Sequence, residues 1–131
     1  VSRFLRMAVP AIAAAGLVIA ATSGSASASG SYDGCPYGAV CIYNNGSPDS
    51  GIESGGIYWS YGAHNLSNQY GNHYVVNNQY GGAWVEMCTG YNGTGDGNEI
   101  IYGEPYGDSI DLTPINSIWL GTGNTYPCTP P

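Results

Sequence analysis

Two histidines, nine carboxylates and four cysteines are the side chains of this sequence that could do chemistry. His64 and His73 stand in a stretch rich in Tyr and Asn. Such a pair can act as acid and base or hold zinc. No H-E-x-x-H, G-x-S-x-G or free-cysteine motif accompanies them, so they read as surface or edge-strand residues. The acids are Asp33, Asp49, Glu53, Glu86, Asp96, Glu99, Glu104, Asp108 and Asp111. Glycoside cleavage needs two of them held together, and nothing in their spacing singles out two. They read as solvated charge that keeps a Tyr-rich surface soluble. Asp96-Gly97-Asn98-Glu99 is rich in oxygen ligands but lacks the D-x-D-x-D-G spacing with a closing Glu, so it reads as a polar hairpin tip. No catalytic residue, cofactor or metal is expected.

The cysteines depend on compartment. Arg3 and Arg6 are the only basic residues, and Met7 to Ala21 is an apolar run interrupted by Pro10 and Gly16. Ala26-Ser27-Ala28 follows as a small-x-small cleavage site, so residues 1–28 read as a secretory signal peptide. The run is shorter than a membrane span requires. A first residue Val fits a bacterial GTG start or a fragment. In an oxidising compartment Cys35, Cys41, Cys88 and Cys128 favour two disulfides over a zinc site, since no C-x-x-C occurs. Three pairings are possible. Pro36 and Gly38 can turn the chain between Cys35 and Cys41, which favours Cys35–Cys41 and leaves Cys88–Cys128 to tie the tail to a central strand. Downstream of the leader there are nine acids and neither Lys nor Arg. That argues against nucleic acid and anionic membrane as partners, favours a monomer, and leaves a trypsin-like protease no bond to cut.

Residues 29–131 make one domain. Gly or Asn interrupts almost every window, and no helical period is sustained. Short β-type runs remain: 39–43, 56–60, 72–77, 83–89, 99–102, 109–111 and 117–121. Asn-Gly, Gly-Gly, Asp-Gly and Pro turns separate them. Ala83, Val85 and Met87 alternate with Trp84 and Glu86, and Ile118 and Leu120 alternate with Ser117 and Trp119. Seven or eight such strands predict a small Greek-key sandwich. A faint repeat relates 70–88 to 106–120, with Asn77 to Trp84 the counterpart of Leu112 to Trp119. The Tyr and Trp side chains either line a carbohydrate platform or fill the core and sheet faces; the second reading follows from strands having to bury one face. Asn45, Asn65 and Asn92 head N-glycosylation patterns that matter only in a eukaryotic export.

Cys35-Pro36-Tyr37-Gly38-Ala39-Val40-Cys41-Ile42-Tyr43 opens the exported domain. With Asn77-Asn78-Gln79, Cys88-Thr89-Gly90-Tyr91-Asn92-Gly93-Thr94 and Leu112 to Ile118, it resembles the Streptomyces metalloproteinase inhibitor family of small secreted actinobacterial proteins. The resemblance covers most of 33–121. It implies an all-β, disulfide-stapled, two-Greek-key β-sandwich of βγ-crystallin type, and an inhibitor of extracellular zinc endopeptidases rather than an enzyme. Calcium-binding crystallin domains carry [Asn/Asp]-[Asn/Asp]-x-x-[Ser/Thr]-Ser before the last strand of each motif. Here Gly81-Gly82 replaces the hydroxyls after Asn77-Asn78. In the second copy Leu112-Thr113 replaces the first pair and Asn116-Ser117 keeps only the last residue, which leaves too few oxygen ligands for tight binding. Ile52, Ile57, Tyr61 or Leu66 could enter an apolar protease pocket, with a carboxylate nearby for the metal; none is singled out, and the inhibitory loop is unassigned. The alternatives are a cell-wall or carbohydrate-binding module and a killer-toxin-like antimicrobial.

Overall fold

The structure, a computed structural model, describes residues 30–128. The expected signal peptide, with Arg3, Arg6 and Ala26-Ser27-Ala28, lies outside the described residues. Eight strands form: β1 (Val40–Tyr43), β2 (Ile52–Tyr58), β3 (Gly62–Asn65), β4 (Asn72–Asn77), β5 (Trp84–Cys88), β6 (Gly97–Tyr102), β7 (Tyr106–Asp111) and β8 (Ser117–Gly121). A single 3-10 turn, Pro48–Ser50, sits between β1 and β2. The strands make two antiparallel sheets, ordered β2-β1-β4-β7 and β3-β8-β5-β6. The protein is an all-β sandwich.

β1–β4 and β5–β8 are folded alike. In each half the first, second and fourth strands share a sheet, and the third crosses to the sheet of the other half. Matching hydrogen bonds continue the two exchanged pairings: Leu66 N donates to Asn116 O at 2.9 Å, and Leu112 N to Gly71 O at 3.0 Å. The repeat expected between 70–88 and 106–120 is therefore out of phase, because it equates β4–β5 with β7–β8. Strand β3, Gly-Ala-His-Asn, was absent from the expected runs. It has no apolar alternation because it is a half-exposed edge strand held by backbone pairing to β8.

The layer between the sheets is aliphatic. Val40, Ile42, Val75, Val85, Met87, Ile101, Ile110, Leu112, Ile118 and Leu120 fill it. The alternation read at 83–87 and 117–120 points as expected, with Val85, Met87, Ile118 and Leu120 inward. The aromatic residues do not fill this core. Only Tyr43 and Trp84 are buried among the described aromatics, while seven tyrosines and Trp59 are exposed.

β1 and β5 are buried on both faces. Ala39, Cys41, Tyr43 and Val76 form a second cluster on the outer face of the first sheet, with Cys35 over them. The Cys35–Cys41 disulfide fastens this cover. Tyr43 Oη donates to Asp33 O at 2.6 Å, and Tyr74 Oη to Asp33 Oδ2 at 3.1 Å. On the second sheet Trp84, Glu86 and Cys88 face outward beneath the C-terminal tail, fastened by Cys88–Cys128. Trp84 Nε1 donates to Gly123 O at 2.9 Å, and the Tyr126 ring lies 4.8 Å from the Trp84 ring. Glu86 is the exception among acids expected to be solvated. It is wholly buried under the tail, where Cys128 N donates to its Oε2 at 3.1 Å. Burying a carboxylate requires such donors.

The tail bridge spans 40 residues. Loop entropy alone makes its closure worth about 4 kcal/mol. The double variant Cys88→Ser/Cys128→Ser is expected to lose stability of that order in urea unfolding. Its tryptophan emission is expected to shift red as Trp84 is uncovered. An unchanged midpoint and spectrum would show that the tail holds itself in place.

Candidate functional site

The exposed aromatic side chains are unevenly anchored, and three segments that carry them converge at one end of β1. These are the Cys35–Cys41 ring, the Tyr58–Tyr61 crossover between the sheets, and the Asn78–Ala83 link from β4 to β5. Asn78 binds the ring to the link. Its backbone N donates to Ala39 O at 2.9 Å, its O accepts from Gly38 N at 2.8 Å, and its Nδ2 donates to Cys35 O at 2.8 Å. Gly38 occupies the left-handed region at φ 89°; a Cβ there would lie 3.5 Å from the Tyr80 ring and 4.0 Å from Trp59. Tyr37 and Tyr80 stack with centroids 5.0 Å apart and planes inclined by 11°.

The crossover is equally fixed. Val40 pairs with Tyr58 at one end and Gly62 with Leu120 at the other. His64 Nε2 donates to Ser60 O at 2.7 Å, and the His64 ring lies 5.1 Å from that of Tyr58. Tyr58 turns inward against the core, while Ile57, Trp59 and Tyr61 are 38%, 59% and 59% exposed. Of the residues proposed from the sequence to enter a protease pocket, Tyr61 stands on this crossover and Ile57 just before it, near the end of β2. Ile52 is half-buried against the outer cluster of the first sheet. Leu66 is buried in the inter-sheet core and cannot reach a partner. Trp59, which is not among those four residues, stands between Ile57 and Tyr61, and Ile57-Tyr58-Trp59-Ser60-Tyr61 alternates at a strand spacing next to a turn.

The histidines fall in different sheets, His64 on β3 and His73 on β4. His64 is on an edge strand as expected. His73 is not at the surface: it is buried on a central strand, and its Nδ1 donates to Tyr43 O at 2.6 Å. Glu53 Oε2 lies 3.9 Å from His73 Nδ1, and Gln69 Nε2 donates to Glu53 Oε1 at 2.9 Å. This group braces the bulged middle of β2 against β4.

Asn77 ends β4 and Asn78 follows it, so the pair does not precede the last strand of a motif and does not occupy the cation-loop position. Asn77 Nδ2 donates to Ile101 O at 2.9 Å, and its Oδ1 accepts from Gln79 N at 3.0 Å. The amides that looked like ligands hold backbone. The hairpin tip expected at 96–99 runs instead over 89–96, where Asp96 N donates to Thr89 Oγ1 at 2.8 Å; Gly97 already begins β6. Asn65 and Asn92 are engaged with each other, Asn65 Nδ2 donating to Asn92 Oδ1 at 2.9 Å. Glu86, Cys88 and Cys128 cluster within 4.8 Å, but the two sulfurs are joined to each other and offer no thiolate to a metal. A cavity of about 200 Å³ lies between the loops before β4 and β8, with Tyr70 and Tyr91 on its wall. A more open hollow of about 450 Å³ is lined by Tyr102, Glu104 and Tyr106. Neither is lined by a residue of the three converging segments.

Family models, curated proteins and solved structures return no match to this chain.

Burial, and next the charge of Glu53, push the Tyr58 hydroxyl up to about 12 from its ordinary value of 10.0. The folded protein keeps this proton where the unfolded chain releases it. Stability linked to Tyr58 is therefore complete below about pH 10 and is lost as pH rises toward about 12. Tyr58→Phe is expected to flatten part of the fall in urea midpoint between those pH values. An identical fall in both proteins would show that Tyr58 titrates as it does in the unfolded chain.

Proposed function

We propose that this chain is a secreted peptidase inhibitor directed at extracellular zinc metalloendopeptidases of the thermolysin type. One observation carries the reading: the end of β2 and the crossover that follows it present Ile57, Trp59 and Tyr61 to solvent, while pairing at both ends and the His64–Ser60 bond between them hold the segment rigid. A segment already fixed in shape loses little entropy when it docks, so its apolar side chains can contribute to affinity nearly in full. Apolar anchors on such a segment suit an apolar specificity pocket. The described residues contain neither Lys nor Arg, which excludes a basic anchor of the kind a trypsin-like pocket takes.

Further support comes from the family that the opening Cys35–Tyr43 motif resembles. A sandwich of two like four-stranded halves is in keeping with the crystallin-type architecture implied there. Two closed disulfides suit an oxidising compartment. Among the described residues no helix is long and apolar enough to cross a membrane.

Titration of the oxidised protein against a thermolysin-type protease and a subtilisin, with a small peptide substrate, tests the proposal. Stoichiometric loss of the metalloprotease activity alone is expected. Ile57→Ala and Tyr61→Ala are each expected to raise the inhibition constant about tenfold or more, the loss of one buried apolar anchor. Tyr70→Ala, exposed elsewhere, is expected to leave it unchanged. Full metalloprotease activity at large molar excess would end this reading.

A further inference from the structure

Beyond inhibition, we infer that Tyr37, Trp59 and Tyr80 form a binding platform for a neutral pyranose polymer. The three rings come from three separate segments and meet around Gly38. All three are exposed, although burying them would be favourable by a few kcal/mol in total. A disulfide and the bonds of Asn78 nevertheless hold their backbone segments in place. Rings that are fixed and left in water are organised for a ligand instead of for the core.

The chemistry of the platform selects the ligand. Aromatic faces carry partial negative charge and attract the C–H-bearing face of a sugar ring. Tyr37 Oη, Tyr80 Oη and Trp59 Nε1 have no protein partner among the described residues, so each can bond a sugar hydroxyl. Gly38 presents no side chain between Trp59 and Tyr80, which leaves room for a ring to approach. Charge excludes the anionic polymers. The described residues hold nine acids and no Lys or Arg, so nucleic acid, teichoic acid and acidic glycans are repelled. A neutral polysaccharide meets no such barrier, and stacking on it persists in salt that screens charge.

The test is retention of the oxidised full domain on insoluble chitin, microcrystalline cellulose and β-1,3-glucan in 1 M NaCl. Titration with chitohexaose and cellohexaose, followed by tryptophan emission, accompanies it. Retention by at least one polymer is expected. It should be weakened tenfold or more by Tyr37→Ala and by Tyr80→Ala, and kept by Tyr80→Phe, which preserves the ring. Ile57→Ala should bind the polymer normally while inhibiting about tenfold or more weakly, which distinguishes polymer binding from inhibition although Trp59 belongs to both surfaces. The unfolding midpoint of each variant confirms that its fold is intact. No retention on any of the three polymers, or retention that Tyr37→Ala and Tyr80→Ala leave untouched, overturns the inference.

Discussion

Strands β1 and β5 are buried on both faces, and the rest of the molecule is arranged to satisfy that requirement. Each sits inside its sheet, with aliphatic side chains inward and a second set outward. A two-layer sandwich covers only the inward set. The outward set needs additional layers, supplied by the residues around Cys35 over β1 and by the tail over β5. A short segment has too little apolar area to stay in place unaided, and each is bonded to the strand it covers. The disulfides therefore act where the hydrophobic effect is weakest. The small outer layers also leave little apolar volume for aromatic rings, and most tyrosines stand at the periphery.

The same requirement explains what was legible in the sequence. Doubly buried strands leave continuous apolar runs, and 39–43 and 83–89 stood out for that reason. β4 and β8 were found with the bounds they have, because Gly and Asn turns flank them. β3 was invisible because its stability comes from backbone pairing with β8, and backbone groups leave no mark on residue type. The phase of the repeat was misread because the Tyr-Gly pairs that suggested it stand before β4 and within β7, which are not equivalent positions. His73 and Glu86 were misjudged together. A polar residue in a short strand reads as solvent-facing, and only the three-dimensional cover reveals that a carbonyl or a backbone N–H awaits it.

The candidate site was legible in its ingredients but not in its assembly. Ile57 and Tyr61 could be named from residue type alone. Their exposure, and the burial of Leu66, depend on which way the chain crosses between sheets. The stacking of Tyr37 on Tyr80 joins residues 43 positions apart and has no local signature. Asn78 illustrates a wider ambiguity. An Asn pair beside glycines suits a cation loop and also suits an amide that ties two backbone segments, and the side chain is the same in both.

The exchange of β3 and β7 has a consequence for how the chain acquires its structure. His64 pairs with Ile118, and Asn77 with Tyr106, so neither half owns a complete sheet. A chain emerging end first from a ribosome or a translocation channel holds no finished sheet until β7 has appeared, and the second sheet closes only with β8. Pairings that distant in sequence also form slowly, over milliseconds to seconds. The segment that bears Trp59 and Tyr61 precedes β3 and takes its shape only when the last strand arrives. Whatever surface the molecule offers to a partner is thereby withheld from an incomplete copy of it.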